Sequence, residues 1–287
     1  MFGFLNVYKP VGMTSFDVIA TLRKIIHIKQ IGHTGTLDPF AQGVLPVCIG
    51  KATKLIEYLT SNKAYLATVQ FGSRTDTYDR EGQIVESYDK KVSAIEIEGA
   101  LKDFEGEIEQ LPPIYSAIKV NGKKLYDYAR SGQEVEIKPR KVSIYKIEMR
   151  DFDFNSQSAK IYVECGGGTY IRSIANDLGQ KLGCGGYLTD LIRIQSGMFN
   201  IDSAVKLEDL KSFEDVEKNL LNPINYVDVP KYNLSEQEKE RVGHGMFIKN
   251  HTRFDNGIVF MIYSDKMFAI GEFKEGIIKP KKVFEVL

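Results

Sequence analysis

The loop between residues 29 and 43 carries side chains suited to acid–base or nucleophilic chemistry. It contains the run Gly32-His33-Thr34-Gly35-Thr36-Leu37-Asp38-Pro39. Long structured loops between regular elements are often functional, and glycines give them unusual backbone freedom. A residue before proline is held away from helical dihedrals, so Asp38 can present its carboxylate at a fixed angle. From the residues alone, an Asx turn at Asp38 and a hydrogen-bonding role for His33 are the simpler interpretations.

A second candidate site is the triple glycine at 166–168, which precedes a predicted helix. The N-terminus of a helix favours phosphate through its dipole and its free backbone N–H groups. Tyr170 and Arg172 lie at the start of this helix and add an aromatic face and a permanent cation. From spacing alone, a packing tyrosine and a surface arginine explain them as well.

Other classes of enzyme lack their motifs in this sequence. The four histidines show no paired metal-ligand spacing, so no catalytic metal is predicted. There is no G-K-[ST] phosphate loop, dinucleotide-binding glycine pattern or G-x-S-x-G hydrolase elbow. Three widely separated cysteines suggest neither disulfides nor a zinc ribbon, and they fit a reducing cytoplasm.

Regular elements must position these residues, and apolar periodicity predicts where they lie. The predicted strands are 4–8, 44–49, 65–71 and two within 141–165, and the predicted helices are one after Thr14 or Ser15, one at 52–60, one at 92–103 and one from Thr169 to Gly183. Asn121-Gly122 indicates a hairpin. Helices and strands alternate irregularly, which predicts an α+β fold with a mixed sheet, followed by a small β-rich part beyond residue 228.

Composition narrows the class of protein. Of 287 residues, 43% are hydrophobic and 26% charged, as in ordinary globular proteins. No apolar run approaches the roughly 18 residues that cross a bilayer, and no signal peptide is evident. The 38 basic and 38 acidic residues balance, but residues 119–146 carry eight basic and three acidic side chains, and residues 75–110 carry eleven acidic and four basic. This split predicts either a polyanion-binding surface or two solvated faces of opposite sign.

Six segments, in order from residue 4 to about 200, resemble the TruB family of tRNA pseudouridine synthases. They are KPVGMTS at 9–15, GHTGTLDPFAQGVLP at 32–46, KAY at 63–65, RTDTYDREG at 74–82, LPPIYSAIKVNGKKLYDYAR at 111–130 and GTYIRSIANDLG at 168–179. A single motif of this kind can arise by chance, but six in the family's order are highly specific. The resemblance implies the pseudouridine synthase fold, with a central mixed, largely antiparallel sheet.

The resemblance implies that Asp38 is the catalytic carboxylate. The family's reaction breaks the N1–C1′ bond of a uridine, rotates the uracil and reattaches it through C5. No external group enters, so neither cofactor nor metal is expected. A carboxylate can attack C1′ and form a sugar ester, or remove the C2′ proton and give a glycal, and both routes stay open. Arg172 matches the arginine that pairs with this aspartate and keeps it ionised.

The resemblance also implies the substrate contacts. Tyr65 matches the active-site tyrosine that stacks on the target base, and Tyr170 and Leu191 match further pocket residues. His33 matches a histidine that fills the place left by the flipped nucleotide. Flipping is required because a stacked loop buries C1′ and both faces of the base. Stacking on an aromatic ring, worth about 1–3 kcal/mol, helps offset the unstacking.

The expected partner is tRNA, with uridine 55 in its T loop as the target, bound by a monomer in the cytoplasm. The RNA-binding surface is expected to include Lys119, Lys123, Lys124, Arg130, Arg140 and Lys141. Residues 1–227 would form the catalytic domain, and residues 228–287 a small β-rich domain like the PUA domains that contact tRNA. Two alternatives stay open: a guide-RNA-dependent pseudouridylase, and a non-catalytic RNA-binding or tRNA-folding protein on the same scaffold.

Overall fold

In a computed structural model that describes residues 1–249 and 255–284, strands and helices alternate irregularly. The strands up to residue 206 are β1 (Gly3–Lys9), β2 (Ile31–His33), β3 (Gln42–Ile49), β4 (Lys63–Phe71), β5 (Ser73–Thr75), β6 (Ile84–Ser87), β7 (Gly106–Gln110), β8 (Lys119–Val120), β9 (Lys123–Lys124), β10 (Arg140–Asp153), β11 (Ser158–Cys165), β12 (Gly186–Ser196), β13 (Phe199–Asn200) and β14 (Val205–Lys206). The later strands are β15 (Lys231–Asn233), β16 (Ile248–Lys249), β17 (Gly257–Tyr263), β18 (Lys266–Lys274) and β19 (Ile277–Val283). The α-helices are α1 (Ser15–Ile26), α2 (Ala94–Leu101), α3 (Leu125–Arg130), α4 (Ile171–Leu182), α5 (Phe213–Lys218) and α6 (Glu236–Gly243).

Ten strands form one large sheet in the order β14-β1-β3-β12-β4-β11-β10-β7, with β2 added to β3 and β13 added to β12. The pairs β1–β14 and β3–β12 are parallel. The remaining pairs are antiparallel. The predicted α+β class, with a central mixed and largely antiparallel sheet, is confirmed.

Strand β12 occupies the middle of this sheet, between β3 and β4. Its register sets Arg193 beside Gly43 on one neighbour and beside Tyr65 on the other. Residues 34–41, which include Asp38, connect β2 to β3. The pairing of β3, β12 and β4 therefore brings this connection next to Tyr65.

Helix α1 begins where the sequence predicts. Thr14 is its N-cap: the Thr14 side chain accepts from the backbone N–H of Asp17, and the Asp17 side chain accepts from the backbone N–H of Thr14. Such a reciprocal capping box satisfies two N–H groups that the first turn would leave free. The helix ends at His27, which adopts a left-handed conformation.

Helix α4 begins differently from the prediction. Thr169 does not cap it, because the Thr169 hydroxyl donates to the carbonyl of Gly166, 3.0 Å away. The N-cap is Tyr170, whose side chain makes no capping bond. Instead, the side-chain amide of Gln110 binds both the N–H and the carbonyl of Tyr170, at 2.8 and 3.0 Å. A residue 60 positions away thus replaces the local cap, while Gly183 ends the helix in the predicted left-handed conformation.

Two other local predictions have mixed outcomes. The predicted helix at 52–60 is a 3-10 helix at Gly50–Tyr58 in which only Ala52 and Leu55 are buried. A segment with so narrow an apolar stripe has little to hold a longer α-helix against the core. The predicted hairpin is confirmed: β8 pairs with β9, and Asn121 and Gly122 between them both have positive φ, as the tight hairpin turn requires.

The C-terminal part is β-rich, as predicted, with five strands in the order β15-β17-β18-β19-β16. It has a core of its own around Val259, Met261 and Phe268. A second hydrophobic cluster packs the C-terminal part against the large sheet. It contains Phe4 and Phe199 from the large sheet and Phe260 from β17. The boundary between residues 227 and 228 stays a prediction. Within the described residues, every helix is too short or too polar to span a bilayer.

Candidate active site

A cavity of about 400 Å³ lies where the connection after β2, strands β4 and β12, the start of α4 and the segment before α3 meet. Five of the residues predicted from the sequence line it, namely Asp38, Tyr65, Tyr170, Arg172 and Leu191. His33 is not among the lining residues. Lys63, Tyr115 and Tyr126 also line the cavity, although the sequence did not single them out for it.

The backbone around Asp38 is anchored from both sides. Leu37 and Phe40 are buried in the core under the cavity. The Leu37 N–H donates to the hydroxyl of Ser15, at the start of α1, and this hydroxyl donates back to the Leu37 carbonyl, at 2.8 and 3.2 Å. The Pro39 carbonyl accepts from the N–H of Gly12 at 2.8 Å. These contacts fix the direction in which Asp38 points.

Lys9 also binds the backbone next to Asp38. Its side chain is completely buried and donates to the carbonyls of Pro10, Met13 and Pro39. Burial lowers the pKa of Lys9 to about 8, although the negative charge of Asp38 opposes this shift. Lys9 belongs to the KPVGMTS segment, but sequence reasoning assigned it no role. The feature that could have indicated a buried role for Lys9 is its place at the end of β1, a strand whose residues are almost all buried.

Asp38 forms an ion pair with Arg172. The Arg172 Nε lies 3.0 Å from Oδ2 of Asp38, and the Arg172 Nη2 donates to Oδ1 at 3.2 Å. The arginine side chain is 5% exposed, whereas that of Asp38 keeps 34% of its surface open to the cavity. Burial raises the pKa of Asp38, and the Arg172 guanidinium opposes this rise. The pairing that the resemblance implies is thus present, with the carboxylate facing the cavity.

A second carboxylate holds Arg172 from its other side. Asp79 lies 3.3 Å from Nη1, and its side chain is 5% exposed. The Arg172 guanidinium also donates to the carbonyls of Thr77 and Tyr115, at 3.3 and 3.0 Å. Asp79 is itself oriented by the Thr77 hydroxyl and the Glu81 N–H. Asp79 belongs to the RTDTYDREG segment, but sequence reasoning missed this contact, which joins residues 93 positions apart.

The walls of the cavity are aromatic and apolar. Tyr65, on β4, and Leu191, on β12, are 6% and 4% exposed. Burial raises the pKa of Tyr65, and Arg193 opposes this rise. Gln110 fixes the backbone of Tyr170 at the other side of the cavity. A cavity of this size, with one carboxylate and flat apolar walls, can hold a planar ring and bring the group attached to it against Asp38.

His33 lies outside this group of residues, on strand β2 opposite Val47. Its ring is half-buried, and Nδ1 is buried without a hydrogen-bond partner. Burial lowers the pKa of His33, and the nearby Arg193 lowers it further, so the neutral imidazole is favoured. Its expected place in the nucleotide stack stays a prediction.

The six basic residues predicted to bind RNA fall into two groups. Lys119, Lys123, Lys124 and Arg130 belong to the β8–β9 hairpin and α3, next to Tyr126 of the cavity wall. Within this group, Lys124 donates to the Tyr126 hydroxyl at 2.8 Å, and the Arg130 guanidinium lies 5.5 Å from the Tyr126 ring centre. Arg140 and Lys141 begin β10, where Lys141 pairs with Glu107. Of the six residues, Lys124 and Arg130 contact Tyr126 of the cavity wall.

Among the residues that the structure describes, no group of three or more His, Cys, Asp or Glu side chains is arranged to hold a metal ion. The three cysteines are unpaired and buried. The polar side chains that line the cavity include the carboxylate of Asp38, its guanidinium partner Arg172, and those of Lys63, Tyr65, Tyr115 and Tyr126.

Proteins of known structure share this fold. A chain of an H/ACA ribonucleoprotein bound to a substrate RNA containing 2′-deoxyuridine is 26% identical, with a TM-score of 0.74, covering 99% of this chain and 85% of that one. A chain of a Cbf5–Nop10–Gar1 complex gives the same identity, TM-score and coverage.

Curated proteins are more similar in sequence. A tRNA pseudouridine synthase B of Carboxydothermus hydrogenoformans is 45% identical over 99% of both chains. Proteins of the same name from Clostridioides difficile and Clostridium novyi are 42% identical over 93% of both chains, and 51% identical over 73% of this chain and 72% of the other.

Two family models match consecutive parts of the chain. The N-terminal domain of TruB family pseudouridylate synthases matches residues 23–171, and the C-terminal domain of tRNA pseudouridylate synthase B matches residues 172–227. Asp38, Tyr65 and Tyr170 lie in the first match, and Arg172 and Leu191 in the second. With these matches and relatives of 42–51% identity, the chain belongs to the TruB family of pseudouridylate synthases and is an isomerase.

Proposed function

We propose that this enzyme isomerises uridine 55 in the T loop of tRNA to pseudouridine, with Asp38 as its catalytic carboxylate. The observation that carries the proposal is the ion pair of Asp38 with the buried Arg172 at the wall of a cavity suited to one base. Burial raises the pKa of Asp38, and the positive charge of Arg172 opposes this rise and so favours the charged carboxylate. A charged, oriented carboxylate is what either nucleophilic attack at C1′ or proton removal at C2′ requires.

We assign roles to the other cavity residues as well, and their positions around the cavity support these assignments. The Tyr65 ring stacks on the target uracil, and Tyr170 and Leu191 close the cavity around it, which helps offset the unstacking of the flipped nucleotide. Asp79 orients Arg172, which in turn orients Asp38. The isomerisation moves one bond from N1 to C5 and neither adds nor removes an atom overall. These residues can therefore complete it without a cofactor.

Transfer RNA is the proposed substrate because the relatives of 42–51% identity are called tRNA pseudouridine synthase B. The basic β8–β9 hairpin and α3, beside the cavity, would contact the T arm, and His33 would replace the flipped nucleotide. We assign catalysis to residues 1–227 and a supporting RNA contact to the PUA-like residues 228–287. The proposed setting is a monomer in the cytoplasm, where three free cysteines would stay reduced.

A guide-RNA-dependent pseudouridylase is the second candidate, because the fold matches chains from H/ACA complexes. The identity to those chains is 26%, against 45% over the full length for the tRNA enzyme of Carboxydothermus hydrogenoformans. The comparison favours the enzyme that selects its own substrate. Activity of the protein alone, without guide RNA, distinguishes the two.

The test is incubation of the purified protein with an unmodified tRNA transcript, followed by carbodiimide labelling and primer extension. We expect a new stop at the T-loop uridine with wild type and with Asp209→Asn, which changes an exposed aspartate. We expect none with Asp38→Asn, which should still bind the transcript. No stop from folded wild-type protein would contradict catalysis, and a stop at another uridine would contradict the target.

A further inference from the structure

Arg193 is a fully buried arginine in the middle of the large sheet, and the proposed reaction leaves it without a role. It is the largest of the side chains that are completely buried. It lies two residues after Leu191 on β12, within the apolar run Leu191-Ile192-Arg193-Ile194. A charge in such a place is costly unless its partners satisfy it.

Its partners are backbone carbonyls on both arms of the connection that carries Asp38. The Arg193 Nε donates to the carbonyl of Val44 at 2.7 Å. The Nη2 donates to Gly35 at 3.0 Å, and the Nη1 donates to Thr36 at 3.5 Å. Residues 35 and 36 precede Asp38 and residue 44 follows it, so one planar guanidinium bridges the two arms.

Arg193 also faces Tyr65. The two residues are direct partners across the antiparallel pair β12–β4, so their side chains project from the same face of the sheet. On the other side, β3 passes Arg193 at Gly43, where a Cβ atom would lie only 2.3 Å from the Arg193 carbonyl oxygen. Arg193 therefore contacts both of the elements that must be held in register for the cavity to form.

No carboxylate lies within ion-pair distance of Arg193 among residues 1–249 and 255–284. Burial lowers the pKa of its neighbours Lys63 and His33, and the positive charge of Arg193 lowers both further. The charge of Arg193 is satisfied by the three backbone carbonyls, which an apolar side chain would leave without a donor. These bonds hold the backbone on both sides of Asp38, so a change at Arg193 should act on the position of Asp38.

We propose that Arg193 is a positioning residue for the isomerisation: it holds the Asp38 backbone and Tyr65 in the relative geometry that the reaction needs. The inference rests on the proposed function of Asp38 and Tyr65. Lysine cannot replace it, because the donors of an ammonium all leave one atom, whereas Nε, Nη1 and Nη2 of Arg193 are separate donors that reach carbonyls on both arms. A shift of about 1 Å in a reacting group can lower a rate by about 10²-fold.

The experiment measures single-turnover pseudouridine formation, tRNA affinity and thermal stability for Arg193→Lys, Tyr65→Phe and the double variant. We expect Arg193→Lys to slow the chemical step by about 10²-fold with tRNA affinity retained. Because Arg193 acts partly through Tyr65, Arg193→Lys should slow the reaction by a smaller factor in the Tyr65→Phe background than in wild type. The control is Arg23→Lys, since Arg23 also donates to a backbone carbonyl, that of Ile31, but lies outside the cavity.

Arg193→Met covers the case in which the lysine variant fails to fold. We expect it to be less stable than wild type, because three buried carbonyls lose their donor, and to be as slow as Arg193→Lys at a temperature at which the variants and wild type are folded. A stable Arg193→Met with the wild-type rate would overturn the inference, as would a loss of rate that only follows a loss of tRNA binding or of folded protein, or strictly additive effects with Tyr65→Phe. Inactivity of wild type would overturn the proposed function instead, so the two failures are distinguishable.

Discussion

Lys9 and Arg193 each bury a cation that donates to backbone carbonyls, and they do so at opposite ends of one loop. Lys9 holds Pro39, just after Asp38, whereas Arg193 holds Gly35 and Thr36, just before it. Together with the Ser15 contacts to Leu37, these bonds occupy the carbonyls on both sides of Asp38. The loop is thus rigid where its carboxylate must be placed.

The lowered pKa of Lys9 predicts how stability depends on pH. Its pKa falls from 10.5 to about 8 in the folded protein, so between these values the unfolded chain binds more protons than the folded one. The free energy of unfolding should then rise with pH through this window because of Lys9. Relative to Lys9→Met, wild type should gain about 3 kcal/mol between pH 7 and 10.5, measured by urea denaturation.

The comparison with Lys9→Met removes the contribution of other groups that ionise in the same range. The control is Lys29→Met, which also removes one lysine but from an exposed position. If the difference in free energy of unfolding between wild type and Lys9→Met did not change with pH, folding would leave the pKa of Lys9 unchanged and the prediction would be wrong.

Residues of the site were predictable to different degrees. Asp38, Tyr65, Tyr170, Arg172 and Leu191 follow from the family's motifs, and the structure brings them to one cavity. The contacts of Asp79 and Arg193 were not predicted, because each joins segments that lie far apart in the chain. No local pattern reports such a contact, although a charged residue inside an apolar strand is a signal that something must satisfy it.

At the scale of elements, the contact between α4 and the start of β12 depends on small residues. A Cβ atom at Gly179 would lie 2.1 Å from the backbone nitrogen of Gly186 and 2.2 Å from the carbonyl carbon of Gly185. Rigid backbone cannot move aside as a flexible side chain would. This close approach sets the position of α4, and with it that of Arg172.

Two helical glycines should therefore respond in opposite ways to alanine. Gly179→Ala should destabilise the protein by about 3 kcal/mol, because the clash forces α4 away from the sheet. Gly99→Ala, in α2, adds a Cβ that meets nothing within 4 Å and should stabilise by about 0.5–1 kcal/mol through helix propensity. Urea denaturation of both variants against wild type measures this, and equal effects would refute the close contact.

The existence of the elements was largely predictable, whereas some of their ends were not. Periodic apolar residues and local caps predicted α1 and the β8–β9 hairpin, since both depend on residues close in sequence. The predicted start of α4 was wrong because the Thr169 hydroxyl donates to Gly166, while Gln110, from another strand, holds the backbone of Tyr170, after which the helix begins. Tertiary contacts of this kind override local propensity.

At the scale of the whole molecule, a neutral protein presents a basic surface beside its cavity. The lysines of the β8–β9 hairpin interact with neutral partners: Lys123 donates to Gln133 at 2.8 Å, and Lys124 donates to Tyr126 at 2.8 Å. Their charges are therefore not cancelled by carboxylates in these contacts and are available to a polyanion.

Binding of tRNA should accordingly weaken with salt in a way that depends on this hairpin. Replacing Lys119, Lys123 and Lys124 together by Gln should make the slope of log affinity against log salt shallower by about 3, since each lysine neutralises about one phosphate. Filter binding between about 50 and 200 mM salt measures the slope. The same change at the exposed lysines Lys29, Lys102 and Lys218 keeps the net charge equal and should leave the slope near that of wild type.

The sequence by itself determined the family, the α+β class and most of the secondary structure, because motifs, apolar periodicity and capping residues are local properties of the chain. Only the tertiary structure decided how the site is assembled. Asp38 and Arg172 are 134 positions apart, and Asp79 is 93 positions from Arg172. The burial that raises the pKa of Asp38 and lowers that of Lys9 exists only once β3, β12 and β4 pair and enclose these residues. Ion pairs and desolvation depend on distance in space, which the order of residues does not specify.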